Sequence, residues 1–374
     1  MTTIQLCKAR YSKHINTHAL IKVLIYMFII YGLIACTPEL KPDAKKQVLS
    51  DEQHEALALK AKHAILQLDS ALVEKLSANI DVNRLLPDKS SLLSWAVETQ
   101  EPILVKLLLE KGALVHVENS NRFTPIIQAC RYGNAKIIHA LLDAGADPNS
   151  SVEDKTNAFQ LCAGSTSTDV LIRMISQGAN FDAKNDYGQT ALMWSAHSAN
   201  IENINYLVNI GANINHQTEE GYSPLFFAIK SQNLKAVKTI IAHGADLFAK
   251  AKDGTTATQL GVYANNYTFL NWYISELDLL MSHKAKQAVL TDHDRNGDQL
   301  LHAAVKANQP ELVAQLLEFG ANSKAVSEPS KLTWRYEANF KTEDYYPPQL
   351  TPVDIAKKLE LETIISILSE SSKN

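Results

Sequence analysis

The 374-residue chain has little of what chemistry is usually built from. It carries four cysteines and twelve histidines, yet no His-Glu-x-x-His pair and no Cys/His group at zinc spacing, so it offers no metal motif. A phosphate-cradling glycine loop and a nucleophile motif are absent too, and with them the usual grounds for a cofactor or a catalytic residue. There is no long basic run, and the formal charge of −4 gives no reason to expect a nucleic-acid partner. The uncharged run from Val23 to Ala35 falls short of the ~20 residues needed to cross a hydrocarbon core. Hydrophobic content of 46% with 20% charged residues is that of an ordinary soluble globular chain.

What is present begins with an unusual N-terminus. The first 36 residues hold Lys8, Arg10, Lys13 and Lys22 with no Asp or Glu, followed by the apolar run and then Cys36. A charged region ahead of a short apolar one is the pattern of an export signal. The sequence Leu33-Ile34-Ala35-Cys36 resembles the bacterial lipobox, which implies cleavage after residue 35 and a lipid on Cys36. Cleavage there removes four positive charges and no negative ones, taking the formal charge from −4 to −8. Thr37 follows the cysteine, and by the sorting rule that goes with the resemblance a residue other than Asp points to the outer membrane of a Gram-negative cell, facing the periplasm. Residues 36–55, rich in charge and poor in apolar groups, suit a tether.

The rest of the chain repeats itself. Stepping by 33 residues, Ser91, Thr124, Asn157, Thr190, Ser223 and Thr256 each open a similar phrase, and Gln299 and Thr351 open two more after longer intervals. Fourteen residues after each start stand Val105, Ile138, Leu171, Ile204, Val237, Leu270, Val313 and Ile365. Seventeen after stand Leu108, Leu141, Met174, Leu207, Ile240, Tyr273, Leu316 and Leu368. Two apolar columns three residues apart form one stripe on a helix, and a short unit with one stripe must bury it against the next copy. Thr124-Pro125, Ser223-Pro224 and Thr351-Pro352 predict a hydroxyl N-cap with proline at the first helical position. Gly112, Gly145, Gly178, Gly211, Gly244 and Gly320 are placed to end the second helix of each unit in a left-handed conformation.

Phrases such as "RFTPIIQACRYGN…IIHALLDAGADPN", "GQTALMWSA…YLVNIGANIN" and "GDQLLHAAV…LLEFGAN" resemble ankyrin repeats, whose pattern is a turn, TPLHxAA, a second helix and GADxN. The resemblance implies an all-α solenoid of helix-turn-helix units joined by β-hairpin loops, over residues 56–372, with repeats starting near 91, 124, 157, 190, 223, 256, 299 and 351. Residues 56–83 form a weaker unit, with Leu72 in the first column and Lys75 in the second, and are expected to cap the stack. Two insertions depart from the pattern. Near 275–295 the spacing suggests a lengthened second helix running into a loop. At 323–350 an aromatic-rich hairpin is expected, either a partner-binding finger or an extension folded over the last repeats.

Several motifs have a structural explanation beside a functional one. Asp292, Asp294, Asn296, Gly297 and Asp298 resemble half of an EF-hand loop, but Ala303 stands where the bidentate Glu belongs, and the segment falls in phase with the turn before each repeat. His302 occupies the His of TPLH, which the resemblance makes a structural link between repeats; the other copies have Ser94, Ile127, Gln160, Met193, Phe226, Gln259 and Asp354 there. Cys130 and Cys162 fall where the family has Ala, and are expected to be buried thiols serving as small apolar residues. With helix axes roughly 8–10 Å apart, a disulfide between them would need an unusually close approach.

Ankyrin arrays bind protein partners on a concave face made of hairpin tips and the exposed side of the first helices. The matching positions here are Phe123, Arg131, Tyr132, Tyr187, His197, Tyr222, Lys230, Tyr263 and Lys306, with Trp334 and Tyr336 on the second insertion. Aromatic residues and Arg are the usual interface anchors. Trp95, Trp194 and Phe227 lie beside them and are expected to fill gaps between repeats. The expectation is therefore a monomeric, non-enzymatic, protein-binding lipoprotein without cofactor or metal, in the role of an immunity or protective protein for a periplasmic toxin or enzyme. An injected host-directed effector and an enzyme built around residues 323–350 are the alternatives.

Overall fold

In a computed structural model, residues 50–371 are described, apart from 120, 277–282, 295, 330–333, 339–340 and 346–347. The export signal, Cys36 and most of the tether lie outside the described residues. No helix among those described is long and apolar enough to cross a membrane. The chain divides into two units, residues 1–53 and 54–374, and the repeats lie in the second.

Helices come in pairs. After α1 (Asp51–Leu66) and α2 (Ser70–Ser77) the pairs are α3 (Leu92–Glu98) with α4 (Pro102–Glu110), α5 (Pro125–Tyr132) with α6 (Ala135–Asp143), and α7 (Ala158–Ser165) with α8 (Thr168–Ser176). Then come α9 (Ala191–His197) with α10 (Ile201–Asn209), α11 (Pro224–Lys230) with α12 (Leu234–Ala242), and α13 (Ala257–Tyr263) with α14 (Tyr267–Ser275). An additional helix, α15 (His283–Thr291), precedes α16 (Leu300–Lys306) and α17 (Pro310–Glu318). Strands β1 (Trp334–Ala338) and β2 (Lys341–Tyr345) and the last pair, α18 (Pro352–Lys358) and α19 (Glu362–Ser371), complete the order.

First helices pack on first helices and second on second, in two unbroken rows. Both rows carry on past α15, because α13 packs on α16 and α14 on α17 directly. One continuous hydrophobic core runs from Ala58 to Leu368. All the column residues are buried except Ile365, which is half-buried. In that unit Ile364 goes inside in place of Ile365, alongside the expected Leu368. At the opposite end the expected column is also off by one: α2 buries Val73 and Leu76, leaving Leu72 half-buried and Lys75 exposed.

The helix-ending glycines adopt positive φ as expected, Gly145 at 88° and Gly211 at 102° among them. The hydroxyl caps are more selective than expected. Thr351 accepts from the Asp354 amide, but the Thr124 and Ser223 hydroxyls cap nothing. The difference lies three residues on: a capping box closes at Asn157–Gln160, Thr256–Gln259 and Thr351–Asp354, where a polar side chain reaches back. It does not close where Ile127, Met193 or Phe226 stands.

Three further expectations are corrected. The second helix of the unit starting at 256 is not lengthened: α14 ends at Ser275, and α15 is separate. The loops between units are turns rather than regular β-hairpins, with isolated bridges at Ser151–Asn157 and Lys250–Thr256. Their amides are taken by side chains instead, as where Asn119 Oδ1 accepts from the Asn121 and Phe123 amides and Asn185 Oδ1 from those of Tyr187 and Gln189. Finally, Cys130 and Cys162 form a disulfide, their Cα atoms 4.6 Å apart. Small residues permit that approach. A Cβ on Gly133 would stand 2.1 Å from the Ser165 carbonyl oxygen, and one on Gly164 would stand 3.3 Å from that of Trp194, so α5, α7 and α9 lie closer than ordinary helix pairs.

Candidate functional site

The first helices turn one side to the core and leave the residue seven after each start exposed, except the half-buried Gly164. Glu98, Arg131, Gly164, His197, Lys230, Tyr263, Lys306 and Lys358 form that row, and no two neighbours in it have the same chemistry until the last two. The aromatic residues of the preceding turns lie against it. The Arg131 guanidinium sits 4.9 Å from the Phe123 ring centre, and the Lys230 ammonium 4.3 Å from Tyr222 and 5.9 Å from Phe227. His197 meets the edge of Phe227 at 6.4 Å. Burial holds Lys230 below the ordinary lysine pKa. The Tyr132 hydroxyl donates to Glu98 Oε1 at 2.6 Å, and the Gln128 amide donates to the other oxygen of that carboxylate. That hydrogen bond from Tyr132 to Glu98, with burial, raises the phenol pKa.

The structure thus gathers Phe123, Arg131 and Tyr132 around one point of the row, and His197, Tyr222 and Lys230 around another. Tyr132 is 50% exposed and Tyr187 60%. Tyr187 and Phe123 share a groove of about 520 Å³ that also touches Arg122, Val152, Glu153 and Asp186. Tyr263 accepts from the Asn296 side chain at 3.2 Å. Lys306 is committed to Asp298 at 2.5 Å. Trp334 and Tyr336 lie on β1, across from Tyr345 and Glu343 of β2, and their side chains are outside the described residues. Ser327 and Leu350 close the neck of that hairpin through two hydrogen bonds of 3.0 Å. Trp95, Trp194 and Phe227 are half-buried, and Trp95 and Phe227 pack against the core.

His302 is fully buried. Its Nδ1 accepts from the Gln299 amide at 3.2 Å and its Nε2 donates to the Ala325 carbonyl at 3.1 Å. Burial lowers its pKa, which keeps the ring neutral for these two roles. Gln160 and Gln259 do the same work at the equivalent positions. Each accepts from its N-cap amide and donates to two carbonyls of the next turn, Ala183 and Gln189 for Gln160, Asp292 and Asp298 for Gln259. A job that an amide side chain performs equally well needs no proton transfer. The EF-hand-like segment is likewise a turn: Asp294 Oδ1 accepts from the Asn296 and Asp298 amides at 2.8 Å, while Asp292 pairs with Lys250 and Asp298 with Lys306. Among the described residues no group of His, Cys, Asp and Glu is placed to hold a metal.

A family model described as ankyrin repeats in three copies matches residues 62–152, 158–251 and 202–277, and one for the single ankyrin repeat matches 296–328; together they cover more than half of the sequence. The chain belongs to the ankyrin-repeat family. Similar proteins include the palmitoyltransferase AKR1 of Lachancea kluyveri, 29% identical over 41% of this chain and 22% of that protein. A putative ankyrin repeat protein of Rickettsia bellii is 36% identical over 17% and 19%. One from Acanthamoeba polyphaga mimivirus is 32% identical over 28% of this chain and 67% of its own length. The chain spans about a fifth of the first two, and its likeness to the palmitoyltransferase is ankyrin-repeat similarity. The crystal structure of the human ASB11 ankyrin repeat domain is 22% identical with a TM-score of 0.48, covering 54% of this chain and 90% of that one. Ankyrin repeats imply a protein-binding role.

Sequence reasoning missed the contacts that tie neighbouring ankyrin units together away from the core. Asn149 donates to the Gly178 carbonyl and accepts from the Asn180 amide, and Asn83 and Asn215 repeat the bridge two units away on either side. The Asn of GADxN is the available signal. It also missed Glu98, whose carboxylate organises Tyr132 and Gln128, because a lone Glu at a helix end carries no pattern.

Proposed function

We propose that this ankyrin array is a protein-binding module, lipid-anchored through Cys36 in a Gram-negative envelope and facing the periplasm. There it holds a partner as an immunity protein or guard for a periplasmic toxin or enzyme. The observation that carries the binding role is the outward row on the first helices, where Arg131, Tyr132, His197 and Lys230 stand beside Phe123, Tyr222 and Phe227. Such a row contributes nothing to the core and changes at each step as far as Lys306. The lipobox-like sequence before Cys36 supports the anchoring, and the Cys130–Cys162 disulfide suits an oxidising compartment.

The test is affinity capture from envelope extracts with the lipid-labelled protein. Replacing Tyr132, Tyr187 and Tyr222 by Ala should abolish recovery of the partner, whereas deleting 326–349 should leave it intact; the reverse pattern moves the site to the hairpin. Lipid labelling should stop with Cys36→Ser and with globomycin, and labelling indifferent to both rejects the envelope anchor.

A further inference from the structure

The cations of the outward row differ in what stands eight residues before them, in the turn that opens the same helix. Lys306 has Asp298 there, and the two form an ion pair of 2.5 Å. Arg131 has Phe123 and Lys230 has Tyr222, so a ring occupies the place of the carboxylate, its centre 4.9 Å from the Arg131 guanidinium and 4.3 Å from the Lys230 ammonium. Lys358 follows Leu350, which offers neither ring nor charge. The fold can thus supply a counter-ion at this offset, and in two units it supplies an aromatic surface instead.

A ring holds a cation in place without neutralising it. Among the described residues neither Arg131 nor Lys230 has an ion-paired carboxylate. Glu98, the acid beside Arg131 in the row, spends one oxygen on Tyr132 and the other on Gln128. The row neighbours of Lys230 are His197 and Tyr263, and burial holds its amine below the ordinary lysine pKa. A partly desolvated charge without a counter-ion is unfavourable, and a carboxylate brought from outside offsets that cost. The completed arrangement exists elsewhere in this chain: the Lys62 ammonium lies 3.8 Å from the Trp95 ring centre and 2.8 Å from Asp88 Oδ2 at once. An ammonium carries three N–H donors, so a ring against it still leaves donors for a carboxylate.

We propose that Lys230 on Tyr222 and Phe227, and Arg131 on Phe123, are docking points for Asp or Glu side chains of the protein partner. The inference rests on the protein-binding role proposed above and names the chemical groups that this face takes. The rings hold each cation before the partner arrives, so binding has less side-chain freedom to remove. They also place apolar surface beside the charge, which excludes water from the contact. The chain as a whole is acidic, with a formal charge of −4, so it repels an acidic segment in general and holds one only where such cations stand.

The probe is a fluorescein-labelled peptide of alternating Glu and Gly, with a Gln–Gly peptide as control. Anisotropy against the full chain at low salt should show the Glu peptide binding at least about tenfold tighter than the control. Lys230→Gln and Arg131→Gln should each weaken it about fivefold. Lys238 is the internal control: its ammonium lies 4.8 Å from the Trp272 ring centre, but on α12 and outside the row. Lys238→Gln should leave binding within about twofold. Tyr222→Asp copies the Asp298–Lys306 pair and should weaken binding as much as Lys230→Gln; if its urea midpoint falls, the two Gln variants decide. Equal binding of the two peptides, a loss in Lys238→Gln as large as in Lys230→Gln, or full binding by a folded Tyr222→Asp overturns the inference. Binding to anionic phospholipid vesicles with none to the Glu peptide overturns it as well, since the cations would then be headgroup contacts. Envelope capture that survives Arg131→Gln/Lys230→Gln but fails in Tyr132→Ala overturns it too, while leaving the protein-binding role in place. Peptide binding that is lost in Lys230→Gln, with nothing captured from the envelope, supports the docking points and rejects the proposed function.

Discussion

Each unit contributes two helices that follow opposite rules. On the second helices, the positions fourteen and seventeen after the start are apolar at every step, and every one but Ile365 is fully buried. On the first helices, the position seven after the start passes through Glu98, Arg131, Gly164, His197, Lys230 and Tyr263 without settling on any chemistry. A contact made with the next copy of the same unit requires the same residue type each time, because both sides of it are one repeated surface. A contact made with a different molecule imposes no such repetition. The periodic part therefore carries the fold, and the aperiodic part is where a partner can be distinguished.

The comparison breaks most visibly if a column residue proves dispensable. Leu141 is 0% exposed on α6, between α4 and α8. Leu141→Ala should destabilise the protein by about 2–5 kcal/mol in urea unfolding, the cost of lost burial plus the cavity left behind. Arg131→Ala, on the face opposite to the core, should stay within about 0.5 kcal/mol. Equal effects would show that the two rows are not energetically distinct.

Next in size is the disulfide, which links two first helices 32 residues apart in sequence. Its removal by Cys130→Ala/Cys162→Ala should lower stability by about 3–4 kcal/mol on the loop-entropy relation. Cys130 directly precedes Arg131 and Tyr132, and Ser165 donates to its carbonyl, so the same change should loosen the residues of the candidate face. Amide exchange around 131–133 should rise more than exchange around 230. A uniform rise would mean that the bridge acts on the whole array rather than locally.

The stack is legible in the sequence because burial against an identical neighbour leaves a period, and the eight starts and both columns can be counted directly. The outermost described units are less legible: Val73 and Ile364 take the buried places predicted for Leu72 and Ile365, where among the described residues each second helix packs on the second helix of a neighbouring unit on one side only. The disulfide escapes a sequence reading because helices at their usual separation could not form it, and only the folded chain shows Gly133 and Gly164 bringing these helices closer.

A smaller effect tests whether the polar residue three after the start belongs with the periodic class. Burial depresses the pKa of His302 in the folded state below its unfolded value near 6.5. In the window between the two values the unfolded chain holds the extra proton, so stability should fall as pH drops below about 6.5 and level off beneath the folded pKa. His302→Gln should remove that acid-side loss while leaving stability at pH 8 within about 1 kcal/mol, because Gln160 and Gln259 already make the same bonds. A drop of several kcal/mol at pH 8 would mean that the imidazole does something an amide cannot.

The smallest effect on stability should accompany a large one on binding. Tyr132 is half exposed, and its hydroxyl is held by the hydrogen bond to Glu98. Losing an exposed bond of this kind is worth a few tenths of a kcal/mol, so Tyr132→Phe should unfold at nearly the same urea concentration as the parent. Tyr132→Ala removes the ring as well, and as an interface anchor it should weaken partner capture more than about fivefold with unfolding still within about 0.5 kcal/mol. The pair of variants separates hydroxyl from ring: capture that survives Phe but not Ala assigns the contact to the aromatic face, and capture lost in both assigns it to the Tyr132–Glu98 hydrogen bond. If both variants capture normally, Tyr132, which stands next to the row member Arg131 on α5, takes no part in recognition, and the aromatic anchor expected beside the outer row is absent there.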